Sequence, residues 1–178
     1  MDIPVEVVAS TLDDVKAASV GGADRVELCV NLACGGLTPG RSLAEMAMEM
    51  CQSLGLGLRV LVRPREGDFV YTAQEVELVV REAKGLIDLG VEKVVVGGLD
   101  DRGLPDLVLV RSLSSAVGLD RVVFHRALDE SVHFSEAVDR LAAEGIEEAL
   151  TSGGAPRAIE GLEGTAQAAR HFSVVAGS

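Results

Sequence analysis

The sequence contains no tryptophan, one tyrosine and four phenylalanines in 178 residues. Too little aromatic surface is present to stack on a run of bases. Cationic charge is also scarce: 16 Lys and Arg stand against 28 Asp and Glu, for a net charge of −12. Nucleic acids and anionic membranes are recognised by clustered Lys and Arg, so neither is an expected partner. No apolar run reaches the roughly 20 residues of a membrane span. Met1-Asp2-Ile3-Pro4 leads straight into a short strand pattern without a secretory leader, so a cytoplasmic setting is expected. Cysteine is sparse as well. Cys29, Cys34 and Cys51 are odd in number, match no zinc spacing, and sit in a chain too large to need disulfide staples, which predicts reduced thiols.

What is present describes a globular chain, with 48% hydrophobic and 25% charged residues. Strand patterns recur at Ile3–Val8, Arg25–Cys29, Leu58–Val62, Lys93–Gly97, Arg121–Phe124, Glu148–Thr151 and Phe172–Ala176. Helical patterns alternate with them over 11–21, 41–54, 72–90, 105–117, 132–144 and 156–170. Ser10-Thr11-Leu12-Asp13 and Thr72-Ala73-Gln74-Glu75 resemble capping boxes, and Gly21, Gly90 and Gly145 stand where helices end. Val94-Val95-Val96 and Leu58–Val62 are apolar throughout, as in a parallel sheet covered on both faces. Strict alternation predicts an α/β fold, either a TIM-barrel-like parallel (β/α) barrel or a doubly wound sheet. The side-chain period of two places Glu6, Glu27, Arg63 and His125 on inward faces, which favours the barrel. The expectation is a single domain over 1–178 that lacks the last βα unit. Its open edges would invite another chain, hence a homo-oligomer.

Charge is concentrated after strands. Arg63-Pro64-Arg65-Glu66-Gly67-Asp68-Phe69 follows the third, and His125-Arg126-Ala127-Leu128-Asp129 follows the fifth. In parallel α/β folds the carboxyl ends of strands carry the site. Arg63, Arg65 and Arg126 suit a planar anion, carboxylate or phosphate, held bidentately. His125 suits acid–base work near neutral pH, with Glu27 and Asp68 as further catalytic candidates. Asp68 and Asp129 each suit orienting an arginine or the histidine, and Asp129 equally suits capping the next helix. Buried Glu6 and Glu27 need Arg59, Arg63 or a ligand as partners. Ser152 and Gly153, in Thr151-Ser152-Gly153-Gly154 before a helix beginning near Pro156, offer backbone N–H groups to the same anion. Gly35-Gly36-Leu37-Thr38-Pro39-Gly40 reads as a turn or a lid. His133 and His171 read as surface or packing residues. Cys29 points inward beside Glu27, and thiolates suit soft metals such as Cu(I), but an arginine cluster repels a cation.

Gly21-Gly22-Ala23-Asp24-Arg25-Val26-Glu27-Leu28-Cys29, Gly35-Gly36-Leu37-Thr38-Pro39, the Arg63–Phe69 segment, Phe124-His125-Arg126-Ala127-Leu128-Asp129 and Leu150-Thr151-Ser152-Gly153 occur in that order. Together they resemble the CutC family over the length of the chain. The resemblance implies a TIM-barrel-like fold, a cytoplasmic setting, and a role in copper homeostasis through Cu(I) binding. It carries over Cys29 as the metal ligand. Val70 stands where the family pattern often has cysteine, and Cys34 where it usually has an acidic residue. Two function classes follow: copper handling through Cys29, or an enzyme or binder of a small anionic ligand.

Overall fold

A computed structural model describes residues 3–177. Met1, Asp2 and Ser178, on which the readings of the opening segment and of the last loop partly rest, lie outside the described residues. The described residues form seven strands and six α-helices in alternation. They are β1 (Glu6–Ala9), α1 (Leu12–Val20), β2 (Arg25–Leu28), α2 (Arg41–Leu54), β3 (Gly57–Val62), α3 (Ala73–Asp88), β4 (Lys93–Val96), α4 (Leu107–Val117), β5 (Val122–Phe124), α5 (Phe134–Glu144), β6 (Glu148–Thr151), α6 (Leu162–Ala168) and β7 (Ser173–Ala176). The fold class is the TIM-barrel-like one that the alternation predicts. None of the described helices is long and apolar enough to cross a membrane.

Contacts divide the chain into two compact units. The first comprises residues 1–67 and 81–95, with strand order β1-β2-β3-β4. Its strands pair in parallel register, Glu6 opposite Arg25 and Glu27 opposite Arg59. Val26, Leu28, Leu58, Val60 and Val62 are buried, with Ala44, Ala47 and Cys51 of α2. The Thr11 side chain caps α1, but its capping-box partner is Asp14, not Asp13, because Thr11 rather than Ser10 is the N-cap.

The second unit comprises residues 68–80 and 96–178, with β5, β6 and β7 adjacent in that order. Glu148–Thr151 pairs residue for residue with Ser173–Ala176. The capping box between Thr72 and Glu75 opens α3 as its spacing predicts. The last helix departs from expectation. It begins at Leu162, not near Pro156, and runs for only seven residues. Residues 156–161 form turns instead, closed by Glu160 N–H to Arg157 C=O and Gly161 N–H to Ala158 C=O. The physical cause is close backbone packing against the loop after β6. A Cβ on Gly161 would lie 1.9 Å from the Ser152 carbonyl oxygen, and one on Gly164 2.1 Å from that of Gly153.

Candidate functional site

In the first unit, the period of two along β1, β2 and β3 gathers charge on one face. Glu6 accepts from Arg25 Nε and lies 2.9 Å from Arg59 Nη1. Arg59 is the partner that the sequence predicts. Arg25 is not predicted, although its alternation with Glu27 and Cys29 is the available signal. Glu27 is 6% exposed, and its carboxyl is pushed up to about 7, first by burial and then by the Glu6 charge, with Arg59 opposing. The pair is therefore asymmetric, one glutamate ion-paired to arginines and the other near half-protonation at neutral pH.

Arg63 follows β3 and is buried. Its guanidinium donates to the carbonyls of Cys34 (2.8 Å), Gly36 (3.3 Å) and Gly67 (2.7 Å), tying the glycine loop to the segment after β3. Arg65 donates to the Glu66 carbonyl at 3.2 Å. Thr38 reinforces the tie. Its hydroxyl donates to the Arg63 carbonyl and accepts from the Arg63 N–H.

In the second unit, His125 directly follows β5 and is 4% exposed. The Ala127 N–H donates to its Nδ1 at 3.1 Å, so Nδ1 is the acceptor and the neutral ring carries its proton on Nε2. Phe69 packs tilted on the imidazole at 5.0 Å between centroids. Gly97 admits the ring, since a Cβ there would come within 2.6 Å of Nδ1. Asp68 accepts from the Val70 N–H at 3.1 Å.

Arg126 and Asp129 meet Ser152 at the carboxyl ends of β5 and β6. Arg126 donates from Nε to Asp129 (3.1 Å) and from Nη2 to the Ser152 hydroxyl (2.9 Å) and the Pro156 carbonyl (3.2 Å). Its side chain is 37% exposed, so it is held by protein partners without being sealed from solvent. The Asp129 carboxylate accepts from the Thr151 hydroxyl and from the N–H groups of Ser152 and Gly154. Of the two roles foreseen for Asp129 it takes the arginine-orienting one. The residue at the start of α5 is His133, and no side chain caps that helix. Thr151 escaped sequence reasoning, because its part depends on Asp129 being folded back across β6. The Gly153 N–H bonds the Thr151 hydroxyl.

Cys29 is buried and its thiol is pushed up to about 11, by burial and then by Glu27. Cys34 donates its S–H to the Asn31 carbonyl, and burial raises Cys51 in α2. Among the described residues no group of three or more His, Cys, Asp or Glu could hold a metal ion.

Alternating strands and helices with charged side chains after the strands define a TIM-barrel-like (β/α) protein. The model of the CutC family matches residues 3–178, so this chain belongs to the CutC family. The family protein CutC of Xanthomonas campestris pv. campestris strain B100 is 41% identical over 178 residues, covering 98% of this chain and 73% of that protein. The crystal structure of CutC from Streptococcus agalactiae is 27% identical, with a TM-score of 0.88 over 97% of this chain and 86% of that one. HMG-CoA lyase from Brucella melitensis shares the fold alone, at 15% identity and a TM-score of 0.62.

Proposed function

We propose that this CutC-family protein binds a small oxyanion, a carboxylate or phosphate, at the carboxyl ends of β5 and β6. The supporting observation is the Arg126 guanidinium. Asp129, Ser152 and the Pro156 carbonyl fix it in a side chain that stays partly exposed. A guanidinium already oriented loses little rotamer freedom when Nη1, the nitrogen its protein partners leave over, takes up an anion. His125, neighbouring Arg126 in sequence with its proton on Nε2, is the candidate acid–base group of that site. The test is calorimetric titration of inorganic phosphate and of acetate into the wild type and into Arg126→Lys. The lysine keeps the charge but loses the planar group that Asp129, Ser152 and Pro156 hold in place, and binding should weaken about tenfold, the worth of one charge-assisted hydrogen bond. Equal affinity in the two proteins refutes the reading.

Copper handling is the second reading, favoured by the name of the Streptococcus agalactiae neighbour, which carries copper homeostasis in it. Cu(I) would then be cargo, with Cys29 as its ligand. Against it stands the thiol at about 11. Losing that proton at neutral pH takes about four units, on the order of 5 kcal/mol at 1.36 kcal/mol per unit. Cu(I) titration under reducing conditions, with a competing chelator, separates the readings. Equal affinity and stoichiometry in wild type and Cys29→Ser remove the copper site. Loss of binding in Cys29→Ser alone, with Cys34→Ser and Cys51→Ser unaffected, establishes it.

A further inference from the structure

One tight loop of the first unit brings two thiols together. Cys29 precedes the loop and Cys34 lies within it. Val30 and Leu37 close it by exchanging two backbone hydrogen bonds, at 3.0 and 2.7 Å. Inside it Asn31, Gly35 and Gly36 all have left-handed φ. Gly36 packs directly on the buried Cys29. A Cβ there would lie 3.3 Å from the Cys29 Sγ and 2.8 Å from Leu61, so glycine alone fits. Cys34 stands two residues from Gly36, at most about 7 Å of chain. The Cys29 thiol is pushed up by burial, then by Glu27, and also by Cys34, so the two thiols are near enough to interact electrostatically. Both are free.

The same loop is tied to the segment after β3. The Cys34 thiol donates to the Asn31 carbonyl at 3.1 Å. The carbonyls of Cys34 and Gly36 accept from Arg63, whose guanidinium also holds the Gly67 carbonyl. A disulfide has no S–H, so closing one at Cys34 cancels its bond to Asn31. The sulfurs would then stand about 2.05 Å apart, and Cys34 would turn toward Cys29. Gly35 and Gly36 give the backbone the freedom to follow.

We propose that Cys29 and Cys34 are a redox pair, closed into a disulfide by a hydroperoxide and reopened by a dithiol, and that closure loosens the Arg63 tie. Cys34, only half-buried, reacts first, as its thiolate. Its sulfur takes one oxygen of the peroxide. An S–O bond forms, the O–O bond breaks, and the alkoxide leaves with the Cys34 proton as an alcohol, or as water when the peroxide is hydrogen peroxide. The Cys29 sulfur then attacks the Cys34 sulfur. The S–S bond forms, the S–O bond breaks, and hydroxide leaves with the Cys29 proton as water. Two thiols thus give two electrons and two protons to one hydroperoxide. The pair is separate from the Arg126 site of the second unit.

The experiment adds hydrogen peroxide to the full chain in the presence of a chelator and weighs tryptic peptides. Cleavage after Arg25, Arg41 and Arg59 puts Cys29 and Cys34 on one peptide, 26–41, and Cys51 on the next. Peptide 26–41 should become lighter by two hydrogens, Cys51 should stay open to alkylation after unfolding, and dithiothreitol should restore both thiols. Amides of 31–37, Arg63 and Gly67 should shift on oxidation and return on reduction. Cys29→Ser should stop at a sulfenic acid on Cys34, trapped by dimedone. In Cys34→Ser, Cys29 should oxidise at least about tenfold more slowly than in the wild type, because the exposed partner is gone. Equal rates, no dimedone adduct, overoxidised Cys34 beside a free Cys29, or a bridge to Cys51 would each overturn the pair. Unshifted amides at Arg63 and Gly67 would overturn the link to the segment after β3. If either variant fails to fold, the wild-type peptide masses decide the matter alone.

Discussion

The wild-type protein should lose about 3 kcal/mol of stability relative to Glu27→Gln as the pH rises from 4.5 to 8. Glu27 is held at about 7 in the folded state against 4.5 for the ordinary carboxyl, and each unit is worth 1.36 kcal/mol. The sign follows from which state holds the proton. Below 4.5 both folded and unfolded chains carry it, and the residue makes no difference. Between 4.5 and 7 the unfolded chain releases it while the folded one keeps it, so each rise in pH favours unfolding. Above about 8 both are ionised, and the folded state bears the full cost of a buried carboxylate beside Glu6. Glutamine mimics the protonated acid in shape and hydrogen bonding but does not titrate. Urea denaturation of both proteins across this range isolates the effect, because the repulsion within a chain of net charge −12 is nearly the same in the two. Parallel stability curves would mean that Glu27 is ionised at neutral pH, held down by Arg59 despite its burial.

Asp129→Ala should cost about 2–4 kcal/mol, the scale for leaving hydrogen-bond donors without the charged acceptor they share. The Asp129 carboxyl is 5% exposed. It accepts from Arg126, the Thr151 hydroxyl, and the N–H groups of Ser152 and Gly154, and alanine leaves all four donors without it. Asp129→Asn keeps one oxygen acceptor and should lie between wild type and alanine. Amide exchange at Ser152 and Gly154 locates the effect. Both should exchange much faster in Asp129→Ala, while amides of β2 and β3 follow only the change in global stability. A loss under 1 kcal/mol would show that water replaces the carboxylate and that the loop after β6 does not depend on it.

Much of the framework is local and was legible. The α2 range, Arg41–Leu54, and the β6 range, Glu148–Thr151, match their apolar periods, and the Thr72–Glu75 box marks the start of α3. Such signals span a few residues, so the chain carries them before any tertiary contact forms. The last helix differs from its sequence pattern because its limit is not local. Residues 156–170 have an acceptable helical pattern, but Gly153, Gly161 and Gly164 bring two backbones together and leave only Leu162–Ala168 helical.

The sequence alone determined the α/β alternation, the CutC resemblance, and the placement of Arg63, His125, Arg126 and Ser152 just after strands, because element type and order follow from periodicity and punctuation. Tertiary structure decided the partners. Register sets Glu6 opposite Arg25, so Arg25 joins Arg59 on that carboxylate and Glu27 is left to titrate near neutrality. The loop after β6 returns to Asp129, so Ser152 and Gly154 bond a carboxylate of their own chain. Arg63 turns to three carbonyls of nearby loops. A side chain's charge is written in the sequence. What neutralises it depends on residues tens of positions away, and on strand pairing and chain reversal that no local pattern encodes.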